Sequence, residues 1–404
     1  MKYLIGVLLI LFASYADIFL YRIGIAPAEP SLFFIPIFLV ICLLRYSILD
    51  IWDLLRSHST RFLAAILFLS SVYACISPAS VSVITTRIAL DLITFLMYIF
   101  TVQFFRSEPK KLVILVLVFA FITISGSVWY DYFVGLPKFK QSLEEMLRKG
   151  GFGENPNQAA SAIKFLALGI LVFLHKFKLK KTLLITAMVI TVFLTFSRSG
   201  IVSIILILVL GTANNWNPKF NINPSRLFKS FFSMFFLFVS LYIGLVSFAG
   251  FLKNEFPELG RGAMGDRIDL LLGNSEKSVI AEDVSSSGGR GNLFLMYLNK
   301  SINNPFGHGT GYTEDGKLVD LNTHNYYLFL AVNFGLLALI LYLIYFWTGF
   351  RISLRQNQFY YLIFLALLFF EGFISHSIFQ ERALLISLAF FDSLIYNKEH
   401  KDLI

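Results

Sequence analysis

Residues 112–130 read LVILVLVFAFITISGSVWY, nineteen consecutive positions without a formal charge. At 1.5 Å per residue such a run, built as a helix, covers most of the roughly 30 Å hydrocarbon core of a bilayer. Working outward from this segment, comparable apolar runs fall near 3 to 21, 31 to 48, 60 to 78, 83 to 105, 111 to 132, 158 to 175, 180 to 197, 199 to 214, 227 to 250, 324 to 347, 357 to 376 and 378 to 396. The chain is therefore expected to be an all-α polytopic membrane protein with about twelve transmembrane helices. Its composition agrees. Only 15% of residues are charged and 57% are hydrophobic, whereas a soluble domain carries about 25% charge. Forty-five Phe supply the side-chain volume that helices need where packing, not burial from water, drives association.

Two longer polar segments interrupt the runs, a smaller loop at 133–157 and a larger one at 251–323, inside what is otherwise a single transmembrane domain over 1–404. With a cytoplasmic N-terminus, the inward segments carry eighteen basic and five acidic residues, and the large outward loop carries seven basic and ten acidic ones. Basic charge thus avoids the outer loops, as the positive-inside rule requires. Both termini are expected inside and both loops outside. The net charge of +9 is accounted for by topology, so nucleic acid is not an expected partner. The first run continues through Ile18, Phe19 and Leu20, which favours a retained helix over a cleaved signal. Cys42 and Cys75 fall toward opposite faces, out of reach of a disulfide.

Ionisable groups inside spans are costly and point to function by default. Asp17, Arg87, Asp91, Lys164, Arg198 and Glu371 all map to the outer halves of their runs, and Asp392 alone lies near an inner end. Arg87 and Asp91, one helical turn apart, are placed to neutralise one another. Lys164 could snorkel to the interface or serve a ligand. A transporter would be expected to place such charges near the midplane between repeats.

The outer face holds several motifs. Thr195-Phe196-Ser197-Arg198-Ser199-Gly200 is a turn so short that the Arg198 guanidinium sits at the boundary, where it can fork two hydrogen bonds to a phosphate. In the large loop, Ser287-Gly288-Gly289-Arg290-Gly291 precedes an amphipathic stretch, 292–302, and then Asn304-Pro305-Phe306-Gly307-His308-Gly309-Thr310-Gly311. Glycines let backbone N–H groups approach an anion, with Arg290 and Arg267 as further phosphate clamps. His324 at a helix start suits a base that titrates near neutrality, and Asn325 could orient it or a substrate.

The order Asn155-Pro156-Asn157, then Ser197-Arg198, then Arg290 leading to Asn304-Pro305-Phe306-Gly307-His308-Gly309, then His324-Asn325 with Gly335, resembles the bacterial O-antigen ligase and O-antigen polymerase superfamily. Ala338 departs from it, standing where the family pattern has Gly, Thr or Tyr. The resemblance implies a GT-C-like glycosyltransferase of the bacterial inner membrane, acting on the periplasmic side and inverting at the anomeric carbon. Its donor would be an undecaprenyl-pyrophosphate-linked glycan. Its acceptor would be the lipid A core in a ligase or a lipid-linked glycan in a polymerase, and the His-Asn spacing leans toward the ligase. Membrane lipids would surround it, and neither a cofactor nor a metal is implied. His324, Arg198 and Arg290 would be catalytic, with Asn325, Arg267, Asn157, Lys164 and Arg87 binding substrate. A flippase or exporter of lipid-linked sugars is the alternative of another class. A metal-dependent oligosaccharyltransferase would need acidic ligands in the first outer loop, which offers only Glu29. A hydrolase lacks its Gly-x-Ser-x-Gly elbow or His-Glu-x-x-His pair.

Overall fold

A computed structural model describes residues 1–47, 52–137, 149–153, 155–195, 197–222, 224–233, 235–236, 239–240, 290–319 and 321–396. Among these residues the architecture is helical, without strands. The helices used below are α1 (Lys2–Ala13), α2 (Ala16–Arg22), α3 (Phe34–Arg45), α4 (His58–Tyr73), α5 (Val81–Ser107), α6 (Lys110–Phe133), α7 (Pro156–Leu174), α8 (Lys178–Leu194), α9 (Arg198–Ala213), α10 (Arg290–Asn303), α11 (Tyr326–Arg355), α12 (Phe359–Glu371) and α13 (Arg382–Tyr396).

Eleven of the expected apolar runs coincide with these helices, and 227–250 falls mostly outside the described residues. By length, fewer than twelve of the described helices are full spans. Among the described residues five helices are long and apolar enough to cross a membrane: α4 with its 3-10 extension to Ile76, α5, α6, α7 and α11. The bent pair α1 and α2 makes up to six. The reason is geometric. α3, with 12 residues, rises only about 18 Å, and α12 has 13 residues. The first run breaks by 77° at Ser14 and Tyr15, where Tyr15 takes a left-handed φ of 58°. A hydropathy window counts apolar residues and does not register such breaks.

Helix starts follow local chemistry. The side chains of Ser57, Asn155, Ser197 and Asn325 accept from backbone N–H groups in the first turns of α4, α7, α9 and α11, satisfying donors that have no intrahelical partner. Pro156 occupies the first position of α7, where its missing N–H costs nothing. This helix is the centre of the bundle, packed against α6, α8, α9, α12 and α13. Its small residues Ala159, Ala160, Ala162 and Ala167 are fully buried, which permits the close backbone approach that membrane helices favour. A Cβ added to Gly200 of α9 would lie 2.7 Å from the Ala160 Cβ, so only glycine fits that crossing.

The described parts of both loops are docked onto the bundle. In the smaller one, the Gly151 and Phe152 N–H groups donate to Asp131 Oδ2 at 3.2 Å and Ser127 Oγ at 3.1 Å on α6. In the larger one, the expected amphipathic stretch is α10. Its Leu293 and Tyr297 bury against Val319, Leu328 and Val332, and the Tyr297 hydroxyl donates to the Leu321 carbonyl. α11 is broken at Gly335, whose φ of 75° and ψ of −176° are open to glycine and strained for other residues.

Candidate functional site

The first turns of α7 and α9 meet. Asn155 Oδ1 accepts from the Asn157 N–H at 2.9 Å, Ser197 Oγ accepts from the Gly200 N–H at 3.1 Å, and the Ser197 hydroxyl donates to Asn157 Oδ1 at 2.8 Å. Asn157 therefore ties the two helix starts together. Arg198, the first residue of α9, is exposed beside this junction. Two N-terminal helix dipoles and a guanidinium converge there, an arrangement that favours an anion.

Eight residues along α7, Lys164 is only 1% exposed. It does not snorkel: its ammonium pairs with Glu371 at the end of α12 and donates to Ser203 Oγ of α9 at 3.0 Å. Near it, the Glu381 carboxyl accepts from the Ser375 hydroxyl at 3.3 Å. Arg382 at the start of α13 pairs with the fully buried Asp17 of α2.

Arg87 and Asp91 form the expected pair, and it is bidentate. Nη2 donates to Oδ1 at 2.8 Å and Nε to Oδ2 at 3.1 Å, while the Ser70 hydroxyl donates to the same carboxylate at 2.5 Å. Arg87 reaches further. Its Nη1 donates to Glu314 Oε1 at 3.2 Å, its guanidinium lies 4.4 Å over the Phe329 ring, and the correctly turned Gln380 amide oxygen accepts from Nη1 at 2.9 Å. A small enclosed hollow lies between Arg87, Asp91, Thr94, Tyr326 and Gln380. An open cleft of about 270 Å³ lies on the other side of Arg87, lined by Ser82, Thr86 and Glu314 among others.

His324 is exposed and has a φ of 47°. A non-glycine residue in the left-handed region is strained by about 1–3 kcal/mol and needs its surroundings to hold it. Here the flanks do so. The Thr323 hydroxyl donates to the Asn325 carbonyl at 3.1 Å, and the Tyr326 N–H donates to the Gly372 carbonyl at 2.7 Å. Asn325 is spent on the helix cap, accepting from the Leu328 N–H at 3.1 Å. Its part in placing His324 is made through the helix start.

The glycine loop does something other than cradle an anion. The N–H groups of Gly307, His308 and Gly309 donate to the carbonyls of Asn304, Val332 and Asn333 at 3.1, 2.8 and 2.9 Å, and the Leu336 N–H donates to Pro305 O at 2.9 Å. The loop is stitched into the break in α11. A Cβ on Gly307 would come 2.5 Å from the Gly335 nitrogen, and one on Gly335 would come 2.6 Å from the Phe306 carbonyl carbon. Close approach is why the glycines are there, but what approaches is protein backbone. Ala338, the departure from the family pattern, is fully buried on α11, in keeping with a packing position.

The structure therefore brings Asn157 beside Ser197 and Arg198, gathers Lys164 with Glu371, and links Arg87 through the turn after α12 to His324. Arg267 lies outside the described residues, and Arg290 is described only as the first residue of α10. Sequence reading missed the turn 372–381. His376 there lies edge-on to His324 at 5.9 Å between ring centroids, with Gln380 against Arg87 and Arg382 against Asp17. The signal was present as a cluster of His, Ser, Gln, Glu and Arg across the adjoining ends of two apolar runs. Burial first, then the charges of His324 and Arg87, lowers the His376 pKa to about 4.

Residues 182–343 match a family model described as O-antigen ligase. No curated protein matches the chain.

Proposed function

We propose that the chain, whose residues 182–343 match the O-antigen ligase model, belongs to the O-antigen ligase and O-antigen polymerase superfamily and transfers a glycan from undecaprenyl pyrophosphate to an acceptor hydroxyl on the periplasmic side of the bacterial inner membrane. The observation that carries this reading is that the matched segment runs across Arg198, Arg290 and His324 in one stretch. The acceptor oxygen attacks the anomeric carbon as the bond from that carbon to the pyrophosphate oxygen breaks. The leaving pyrophosphate keeps the electron pair, and His324 takes the hydroxyl proton, so the anomeric centre inverts. Arg198 neutralises the leaving group from its exposed place at the start of α9, with Arg290 and Arg267 as its partners from the large loop. Fixed cations aimed at developing charge lower the barrier without reorganising, and no metal is needed to supply that charge. Lys164 and Arg87, each held by carboxylates, act by fixing the outer ends of α7 and α5 around the substrate, and Asn157 and Asn325 by fixing helix starts. The full span count of about twelve and the GT-C class belong to this same reading.

Purified protein with an undecaprenyl-pyrophosphate glycan and candidate acceptors tests it. Transfer to lipid A core identifies a ligase, which we favour, and growth of a lipid-linked polymer identifies a polymerase. Turnover at wild-type rate by His324→Ala and Arg198→Ala removes the residue assignment. Loss of activity in EDTA with recovery on adding a divalent ion removes the metal-free mechanism.

A further inference from the structure

We propose that His376 is a positioning residue of the glycan-transfer site, whose ring holds the His324 ring edge-on while His324 takes the acceptor proton. The inference rests on the transfer reaction above and adds a residue that neither the family pattern nor the sequence motifs single out.

Four observations carry it. His324 is exposed on a strained backbone held by its flanks. His376 lies against its ring, perpendicular to it with an interplanar angle of 82° and 5.9 Å between centroids, a geometry aromatic rings favour. His376 is itself seated against Phe329 at 6.4 Å, and Phe329 also carries the Arg87 guanidinium at 4.4 Å. Finally, the turn that carries His376 is anchored at both ends, by Glu371 on Lys164 and by Arg382 on Asp17, with Gln380 held on Arg87 between them.

Two imidazolium rings this close repel one another, and the surroundings add to or relieve that repulsion. The charged groups about His376 are His324 from the start of α11 and Arg87 from α5, the latter with its partners Asp91 and Glu314. Within its own turn Glu371, Glu381 and Arg382 are directed to Lys164, Ser375 and Asp17. Burial opposes protonation of His376, and the charges of His324 and Arg87 work in the same direction. Arg87 thereby acts on the chemistry at one remove, by denying the proton to the wrong histidine.

The test uses the full chain in lipid nanodiscs with an undecaprenyl-pyrophosphate glycan and the acceptor it uses, measuring kcat and KM across pH 5 to 9. His376→Ala is expected to lower kcat by up to about 100-fold, the loss that a small misplacement of a reacting group produces, with the donor KM unchanged. His376→Phe, which keeps the ring, restores most of the rate, and His376→Gln does not. The acidic limb of the wild-type profile shows one ionisation. The proposal is overturned by wild-type kcat in His376→Ala, by rescue with Gln but not Phe, by a change confined to KM, or by two ionisations in the acidic limb. Wild type and His324→Ala run alongside. An active wild type with an inactive His324→Ala and an unaffected His376→Ala removes only this inference, whereas an inactive wild type removes the transfer reading and the inference with it.

Discussion

Ten residues, about 15 Å of helix, separate Tyr361 from Glu371 on α12 and Arg382 from Asp392 on α13, and the buried polar groups at the two ends of those helices are built in different ways. At the inner end Asp392 accepts from the hydroxyls of Tyr98 at 2.6 Å and Tyr361 at 2.8 Å. The same Tyr361 oxygen lies 3.0 Å from His58 Nε2, and the Tyr396 hydroxyl lies 2.8 Å from His58 Nδ1. The Tyr345 ring stacks on His58 at 5.2 Å. Hydroxyls and an imidazole surround one carboxylate. At the outer end full cations meet full anions, Lys164 with Glu371, Arg87 with Asp91 and Glu314, and Arg382 with Asp17, and beside them Arg198 and His324 stand exposed. The Asp392 network closes on itself and clasps five helices, α4, α5, α11, α12 and α13. The outer one fixes charges in place while leaving selected members at the rim, which is the arrangement a site for an anionic substrate requires.

The comparison breaks most readily at His324. His324→Ala should lower glycan transfer by at least about 100-fold, the usual worth of a general base, while leaving the melting temperature unchanged because the side chain is exposed. A fall in stability of similar weight would make His324 a member of the clasp. Next in size is Lys164→Met, which strands Glu371 in the interior and should cost about 3–5 kcal/mol of stability. Combining it with Glu371→Met should recover much of that loss, since the stranded charge is gone. A double variant as unstable as the single one would show that the ion pair is not what holds α7 to α12.

Arg198→Lys sharpens the distinction between a charge and a fork. Lysine keeps the charge but loses the planar pair of donors, and transfer should fall about 10-fold to 100-fold, the worth of one hydrogen bond to a charged group. Equal activity would mean that Arg198 is an interfacial anchor. The smallest effect belongs to the inner end. Tyr361→Phe removes one hydroxyl from the Asp392 network, costing about 1–2 kcal/mol in thermal unfolding with kcat unchanged. A selective loss of kcat there would erase the division between the two ends.

Much of this division is legible in the sequence, because hydropathy reads both the helices and the depth of each charge along them. Asp392 stands out in the sequence as the inner exception for that reason. What hydropathy cannot read is which charge meets which. Lys164 and Glu371 are 207 positions apart, and no local pattern pairs them. The runs 357 to 376 and 378 to 396 look like two spans with almost nothing between, so His376, Gln380 and Arg382 are hidden in what counts as apolar sequence. Glycine spacing is equally ambiguous. The freedom that would let Gly307 and Gly309 approach a phosphate lets them approach the carbonyls of α11 instead, and only the partner tells the two apart.

The seam between the glycine loop and the break in α11 also divides the large loop by its tolerance of length. Each N–H from Gly307 to Gly309 is matched to a particular carbonyl, so one residue inserted between Asn304 and Gly309 would slide every match out of step. Residues added ahead of α10 disturb none of those matches, and lengthening a loop costs little. The sequence ahead of α10 can thus change in length without disturbing the seam, while the stretch from Asn304 to Gly309 is a ruler of fixed length set against α11.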